Sequence, residues 1–296
     1  MRATISAALG AIALLAANTA SAQTLKVGVS ALPPAQGNPY HGASGSHWWT
    51  WTAMYDAVTV VDEKGDVQPA LAQSWKINSP TEWRFELRPN LKFDNGEPVD
   101  AAAVAWVINY LRKSQEGQAT SASRTIDLVT GAEALSPTTV AVTTSRPDVI
   151  LPSKISAIFM VAPKLWQEIG PGGYSAKPVG TGAFKVVAWQ PERVQFVART
   201  DSWRKAKVPG METIALEERT ARVQALLSNQ IHFAPELSID NVAQVEQAGH
   251  RVDMVPASGT LGIQYIVAGR DTPFKDLRVR QALNLAVDKE SIVKGI

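Results

Sequence analysis

Two stretches of the sequence match the S-x-x-K pattern, in which penicillin-binding enzymes pair a nucleophilic serine with a lysine. They are Ser202–Lys205 and Ser291–Lys294. So short a pattern recurs by chance, and the K-T-G motif that accompanies it in those enzymes does not occur in the chain. Gly180-Thr181-Gly182 lacks the third glycine of a dinucleotide-binding fingerprint and the lysine of a phosphate-binding loop. The sequence therefore predicts no catalytic residues.

The sequence does not favour metal chemistry either. It has no cysteine, and its histidines form no H-E-x-x-H pair; they are His41, His47, His232 and His250. A lone histidine such as His232 is more often a structural residue than a ligand. His41 and His47 could help to bind a metal chelate, although loop histidines are usually solvated. We expect no metal site and no cofactor.

Aromatic residues near the N-terminus are the best candidates for ligand contacts. A helix is predicted from Ser46, as its N-cap, to about Ala57. One face carries apolar residues at helical spacing, which is typical of core packing: Trp48, Trp51, Tyr55 and Val58. Alternatively, the preceding loop and some of the tryptophans line a ligand cleft, where aromatic rings offer large contact areas. The candidate ligand-binding residues are Tyr40, His41, Trp48 and Trp49.

Composition and the N-terminus limit the partners and the location. The 296 residues include 29 Lys and Arg against 27 Asp and Glu, and this balance argues against nucleic acid or an anionic membrane as partner. Arg2, the apolar segment Ile5–Ala17 and Ala20-Ser21-Ala22 have the pattern of a secretory leader that is cleaved after Ala22. The apolar run is too short for a membrane anchor, and without cysteine we expect neither a lipid anchor nor disulfides. These features predict a periplasmic protein, with full secretion as the alternative.

A hairpin in the middle of the chain organises the predicted elements. Ala183–Trp189 and Val194–Ala198 are predicted strands, joined by a polar turn. Alternation in the second strand predicts that Val194 and Phe196 are buried, with Arg199 on the polar side. Gly180 and Gly182 before the hairpin predict a tight turn. Two further strands are predicted, at Glu82–Arg88 and Arg251–Val255. Helices are predicted at Ala101–Lys113, capped by Asp100, at Pro163–Ile169 and at Arg219–Asn229. Near the end of the chain, Asp276 is the predicted cap of a helix that packs Leu277 and Leu285 inward, and Asp288 is the predicted cap of the next helix.

Three stretches carry a family resemblance. Pro178–Trp203 contains V-G-T-G-x-F, a turn, and a strand that leads to Asp-x-Trp. Val67–Leu111 contains P-x-L-A-x-S-W, F-x-L-R and K-F-x-x-G, and Thr272–Ile296 contains P-F-x-D-x-R-V-R-Q-A-L followed by A-x-D-K. Together they resemble the family 5 periplasmic solute-binding proteins, the peptide- and nickel-type receptors of ABC importers. Asn229 and His232 depart from the glycine and the acid that the family usually has there.

The resemblance implies a mixed α/β (α+β) fold of the periplasmic-binding-protein type, two-lobed, with an extra small subdomain in the first lobe. It divides the chain into a leader (1–22), a discontinuous lobe 1 core (23–65 and 178–261), an inserted lobe 1 subdomain (66–177) and the start of lobe 2 (262–296). It covers about the first half of a typical family member, so we expect a second lobe that is cut short here.

The resemblance also implies a function. A monomeric protein of this family captures a peptide or another small solute in an interlobe cleft and delivers it to the permease subunits of an ABC transporter, without catalysis. An oligopeptide or dipeptide is the leading solute, and nickel chelates, haem, opines, sugars and glutathione stay open. The alternatives are an exported hydrolase of unrecognised type and a periplasmic chaperone-like binding protein, whose aromatic helix face would be an exposed docking patch.

Overall fold

The computed structural model describes residues 23–42, 45–254 and 271–295. The predicted leader and the predicted lobe crossing at Thr260–Val267 lie outside the described residues. The chain divides into two compact units, Met1–Val252 and Asp253–Ile296. Within the described ranges, no helix has both the length and the apolar character needed to cross a bilayer.

The strands of the described ranges all belong to the first unit. In chain order they are β1 (Leu25–Val29), β2 (Thr59–Val61), β3 (Val67–Pro69), β4 (Ala72–Ser79), β5 (Glu82–Leu87), β6 (Val129–Ala134), β7 (Thr139–Thr144), β8 (Phe184–Gln190), β9 (Arg193–Ala198) and β10 (Gly210–Ala215).

Helices occur in both units. Those of the first unit are α1 (Gly45–Met54), α2 (Ala101–Lys113), α3 (Gln115–Gln118), α4 (Ser121–Thr125), α5 (Leu151–Ile155), α6 (Pro163–Ala176), α7 (Arg219–Leu227) and α8 (Val242–Gln247). Those of the second unit are α9 (Leu277–Ala286) and α10 (Lys289–Gly295). Short 3₁₀ turns occur at Ile239–Asn241 and Pro273–Lys275.

One sheet combines the N-terminal strand with the predicted hairpin. Its strand order is β1-β10-β9-β8, with β1 and β10 parallel and the other neighbours antiparallel. β8 and β9 confirm the predicted hairpin to within about one residue at each end, and β9 buries Val194 and Phe196 as predicted. Beyond the other edge of β1, Val27 forms a parallel bridge with Phe233. β1 therefore has parallel neighbours on both sides.

The second sheet is antiparallel, in the order β4-β5-β7-β6. β5 confirms the strand predicted at Glu82–Arg88 and buries every second residue, Trp83, Phe85 and Leu87. Helix α2 packs on β6 and β7, and its predicted cap is confirmed because Asp100 accepts a hydrogen bond from the Ala103 N–H at 2.8 Å. One hydrophobic core includes residues of both sheets. The division of this unit into a lobe core and an inserted subdomain stays a prediction.

Helix α1 is shorter than predicted and is buried over most of its surface. It begins at Gly45, ahead of the predicted cap Ser46, and ends at Met54 rather than near Ala57. The chain leaves the helix there because the Met54 carbonyl accepts the Gly182 N–H at 2.9 Å. Trp51, Tyr55 and Val58 are each only 1% exposed, which confirms core packing of the aromatic face.

The short helix predicted at Pro163–Ile169 ends at Gly170, whose φ of +66° is non-helical, but a second helical segment follows at Pro171, so α6 as a whole runs to Ala176. Two predictions outside this region were wrong. Residues 251–254 form no strand. Asp276 caps α9 as predicted, by accepting the Arg278 N–H at 2.9 Å. Leu277 and Leu285, however, are exposed rather than packed inward. The described part of the second unit has only α9, α10 and a 3₁₀ turn, with no sheet to cover these side chains.

Gly180 and Gly182 are needed for close packing rather than for a left-handed turn. Neither has a positive φ. A Cβ on Gly180 would lie 1.8 Å from the carbonyl oxygen of Met54, and one on Gly182 would lie 2.5 Å from that of Ala53. Loop 178–183 therefore lies directly against the end of α1, and only glycine fits there.

Arg199, predicted on the polar side of its strand, is buried and anchors this loop. Its side chain is only 5% exposed. Nη1 donates to the carbonyls of Gly180 at 3.1 Å and Gly182 at 3.3 Å, and Nη2 donates to that of Lys92 at 3.2 Å. Nε donates to Asp201 at 3.1 Å, which supplies the negative charge that a buried guanidinium needs.

Gly180→Ala should destabilise the protein strongly, because the backbone of α1 must move to admit the methyl group. We expect a loss of more than about 3 kcal/mol in the free energy of unfolding, measured by urea denaturation. Gly172→Ala is the matched control: it lies in α6 and a Cβ there meets nothing within 4 Å, so its effect should stay within about 1 kcal/mol. Equal effects of the two substitutions would contradict the packing argument.

Asp94→Asn should stabilise the protein only at neutral pH. Burial raises the pKa of Asp94 to about 6, although the charge of Arg199 opposes this. The folded state then binds more protons than the unfolded state between the ordinary pKa and about 6, so stability falls as the pH rises through that window. At pH 7 the ionised carboxylate costs up to about 3 kcal/mol.

Urea unfolding at two pH values measures this effect. The variant should exceed the wild type by roughly 2–3 kcal/mol at pH 7, and the difference should nearly vanish at about pH 3.5, where both states are protonated. A difference that is the same at both pH values would show that Asp94 is not the titrating group.

Candidate functional site

Three parallel segments of the first unit end at the same edge of its sheet. β1 leads into Ser30, β10 leads into Leu216, and the segment through Phe233 leads into the loop that contains Glu236. The Gly28 N–H donates to the Phe233 carbonyl at 2.9 Å, which fixes the third segment beside the first. In open α/β sheets ligands bind outside the carboxyl ends of parallel strands. We call this the carboxyl edge, and it is the first place to look for a ligand site.

A groove of about 700 Å³ lies at the carboxyl edge. It is lined by the loop after β1, the tip of the β8–β9 hairpin and the residues after β10: Ser30, Ala31, Leu32, Pro33, Pro34, Gln36, Trp189, Gln190, Pro191, Glu192, Ala215 and Glu217. The Ala215 N–H donates to the Glu192 carbonyl at 2.8 Å, so the hairpin tip is joined to the end of β10. The volume is sufficient for a small organic ligand.

A polar cluster adjoins this groove through Ser30. The Ser30 hydroxyl donates to Glu236 Oε2 at 3.0 Å. A Cβ on Gly45 would lie 3.2 Å from Glu236 Oε1, so this carboxylate is next to the first turn of α1. Glu236 has a φ of +59°, which is unusual for a residue other than glycine. Backbone strain of this kind clusters at active sites and ligand-binding positions, although Asn90 and Asn229 also have a positive φ here.

His47 and two aromatic rings complete this part of the edge. His47 is 8% exposed, and its Nδ1 has no hydrogen-bond partner among the described residues. Burial lowers the pKa of His47, although the charge of Glu236 opposes this, so the imidazole is neutral at pH 7. Trp49 and Phe233 are 38% and 39% exposed, with ring centroids 4.9 Å apart. They form a partly solvated aromatic surface.

Arg222 on α7 holds two loops of the carboxyl edge together. It is 3% exposed, and Nη1 donates to the carbonyls of Leu216 at 2.7 Å and Glu217 at 2.8 Å. Nη2 makes a long contact of 3.5 Å to the Glu236 carbonyl, while Nε has no partner among the described residues. This buried cation therefore fixes the backbone beside two exposed carboxylates, with its charge held beneath the surface.

The four candidate ligand-binding residues occupy different environments. Tyr40 is 1% exposed and its hydroxyl donates to the Phe159 carbonyl at 3.0 Å. Trp48 is half-buried, with its ring centroid 5.0 Å from that of Phe159. His41 is exposed, and Trp49 belongs to the aromatic surface at the carboxyl edge. Their role in ligand binding stays a prediction for all four.

His232 has a structural environment, as expected from the sequence. Its Nδ1 accepts the Lys26 N–H at 3.0 Å, and its Nε2 is 3.1 Å from the side-chain nitrogen of Gln23. Asn229 adopts a φ of +56°, the left-handed conformation that asparagine tolerates after the end of a helix such as α7. Within the described ranges, His, Asp and Glu side chains do not gather in groups of three or more that could hold a metal ion.

Sequence reasoning missed Glu217, Glu236 and Arg222. Each is an unremarkable charged residue near a predicted helix, and its position at the carboxyl edge depends on the pairing of β1 with segments 186 and 206 residues away. An available signal was the arginine at position 222 among apolar neighbours on the buried face of α7.

Most of the chain matches a known protein family. Residues 66–296 match the family described as bacterial extracellular solute-binding proteins, family 5. The chain belongs to this family. The resemblance read from Pro178–Trp203 and the two other stretches is thus confirmed.

Relatives of known name share low identity over most of the chain. A glutathione-binding protein, GsiB, from Pectobacterium atrosepticum is 25% identical over 248 residues, 82% of this chain and 48% of the relative. Heme-binding protein A from Haemophilus influenzae is 24% identical over 261 residues, 78% of this chain and 46% of the relative. The chain spans about half the length of these curated relatives.

Solved structures confirm the fold. The periplasmic binding protein DppA from Helicobacter pylori, in complex with the peptide STSA, matches with a TM-score of 0.67 and 20% identity over 76% of this chain and 49% of that one. NikZ from Campylobacter jejuni, in complex with Ni(L-His), matches with a TM-score of 0.72 and 24% identity over 92% of this chain and 54% of that one. The expected mixed helix-and-sheet fold of the periplasmic-binding-protein type is therefore correct.

The environments of Tyr40 and His41 lead to a prediction about stability. Tyr40→Phe should lower the free energy of unfolding by about 1–2 kcal/mol, because the buried Phe159 carbonyl loses its donor. His41→Ala, at the next position but exposed, is the control and should change stability by less than about 0.5 kcal/mol. Urea denaturation measures both, and a Tyr40→Phe variant as stable as the wild type would contradict the assigned hydrogen bond.

Proposed function

We propose that the chain is the solute-binding component of an ABC importer, which captures a short peptide and delivers it to the permease subunits in the inner membrane. The observation that carries this proposal is the groove at the carboxyl edge, in a chain of the family 5 solute-binding proteins. Loops Ser30–Gln36 and Ala215–Glu217 would supply backbone groups that hydrogen-bond to the peptide backbone. The groove would leave water-filled space around the side chains of the peptide.

A peptide is favoured over the other solutes by the chemistry of the groove. Its lining combines proline, tryptophan and small residues with few charges, which suits an amphipathic chain. DppA of Helicobacter pylori, with its peptide STSA, is a structural neighbour that supports this choice. Glutathione, haem and nickel complexes, as bound by other relatives, are the competing solutes.

The remaining features of the proposal follow the sequence. The protein works as a monomer in the periplasm after removal of the leader 1–22. Residues 23–65 and 178–261 form the core of the first lobe, 66–177 its inserted subdomain, and 262–296 the start of the second lobe. Tyr40, His41, Trp48 and Trp49 contribute to the cleft, and of these His41 and Trp49 are exposed.

The two alternatives have less support. A hydrolase would need a nucleophile activated by a base in a pocket; among the described residues, Ser30 has only the Glu236 carboxylate within hydrogen-bonding reach, no histidine or lysine lines the groove, and the family matched by the chain is one of solute-binding proteins. A chaperone-like protein would use the aromatic stripe of α1 as a docking patch, but Trp51 and Tyr55 are each 1% exposed.

Native mass spectrometry of the protein isolated from its own periplasm tests the function. We expect the protein with a bound adduct that has the mass and fragmentation pattern of short peptides. An adduct of haem, glutathione or a nickel complex would replace the peptide but keep the receptor function. Absence of any adduct, together with no binding of peptides added afterwards, would contradict the proposal.

Substitution at the aromatic surface tests the location. Trp49→Ala should weaken peptide affinity by about tenfold, as expected for loss of an exposed aromatic contact, with little change in stability. Trp106→Ala is the matched control: this partly buried tryptophan stacks on Tyr110 in α2, so its loss should change stability and leave affinity unchanged. Isothermal titration calorimetry measures both affinities, and unchanged affinity of the Trp49 variant would remove Trp49 from the site.

A further inference from the structure

The ionisable residues that line the groove are both acids, Glu192 and Glu217. On this basis we propose that the carboxyl edge selects peptides with a positively charged side chain, lysine or arginine, over neutral and acidic ones. The inference rests on the proposed peptide-binding function and names its substrate class.

Charge at the carboxyl edge is unbalanced. Glu192, Glu217, Glu218 and Glu236 are all exposed there. Of the neighbouring arginines, Arg222 is buried with its donors directed to backbone carbonyls, and Arg193 is 3.6 Å from Glu212. Arg219 is exposed at the start of α7, and together with Arg222 it supplies two positive charges against four glutamates, which leaves an excess of two negative charges. A negative potential in a groove attracts cations and repels acidic solutes.

Aromatic groups strengthen the preference for a cation. Trp49 and Phe233 are partly exposed and pack on each other, and Trp49 follows the first turn of α1, where Gly45 lies next to Glu236. A carboxylate beside an aromatic face binds ammonium and guanidinium groups through charge and cation–π attraction together. Trp189 adds another ring to the groove lining.

The buried groups at this edge have unused hydrogen-bonding capacity. His47 Nδ1 and Arg222 Nε are both buried, and neither has a partner among the described residues. His47 lies near Glu236, whose charge acts on it, and Arg222 holds the backbone of both Glu217 and Glu236. Positions with unsatisfied buried polar atoms and a strained Glu236 are more typical of a binding site than of a solvated rim.

The test uses the native protein and three tripeptides that differ only in central charge: Ala-Lys-Ala, Ala-Gln-Ala and Ala-Glu-Ala. By calorimetry we expect the lysine peptide to bind at least about tenfold more tightly than the glutamate peptide, with the glutamine peptide between them. The ratio should shrink in about 0.5 M salt, because screening weakens exposed charge pairs.

Variants then locate the selectivity. Glu217→Gln with Glu236→Gln should reduce the ratio between lysine and glutamate peptides to about threefold or less. Glu63→Gln, an exposed acid in the β2–β3 turn, is the control and should keep the wild-type ratio.

The binding results distinguish the inferred selectivity for cationic peptides from the proposed peptide-receptor function. Equal affinity for the three tripeptides, tighter binding of the glutamate peptide, or an unchanged ratio in the double variant would overturn the inference and leave the peptide receptor intact. Failure of all three tripeptides to bind would overturn the inference and the proposed function together.

Discussion

Parallel pairing of β1 on both sides is the constraint on which the candidate site depends. β10 and the segment through Phe233 are 186 and 206 residues distant from β1 in sequence, so their pairing with β1 requires closure of long chain loops. Burial of Val27 and Val29, with contacts from α1 and α7, offsets part of that cost. Once the pairing forms, three loops must end at one edge. The groove, the strained Glu236 and the aromatic surface all follow from that geometry.

Buried arginines fix this architecture in an unusual way. Arg199 and Arg222 donate mainly to backbone carbonyls, at the end of α1 and at the carboxyl edge respectively. A guanidinium has several donors in a rigid plane, so one side chain can hold two loops at a fixed distance. At the carboxyl edge this places positive charge underneath and leaves the glutamates exposed above it. The buried arginines thus fix the positions of the loops, while the exposed glutamates determine the charge of the surface. The carboxyl edge can therefore be rigid and still attract cations.

Local signals predicted much of the fold. The β8–β9 hairpin, the Asp100 cap of α2 and the strand β5 all depend on neighbours within a few residues. The partners of β1 could not be predicted in the same way, because strand periodicity gives no information about which distant segment pairs with it. The roles of Gly180 and Arg199 were missed for the same reason: a close approach to α1 and a set of carbonyl acceptors appear only in three dimensions. The site residues Glu217 and Glu236 depend on that distant pairing too.

Hydrogen–deuterium exchange of the native protein, with and without a saturating mixture of short peptides, tests the central claim most directly. Backbone amides slow their exchange where a ligand covers them or stabilises their hydrogen bonds. The account predicts slower exchange in the loop Ser30–Gln36, around Ala215–Glu217 and in the first turn of α1. Protection confined to the β4-β5-β7-β6 sheet, or no change at the carboxyl edge under saturating peptide, would contradict it.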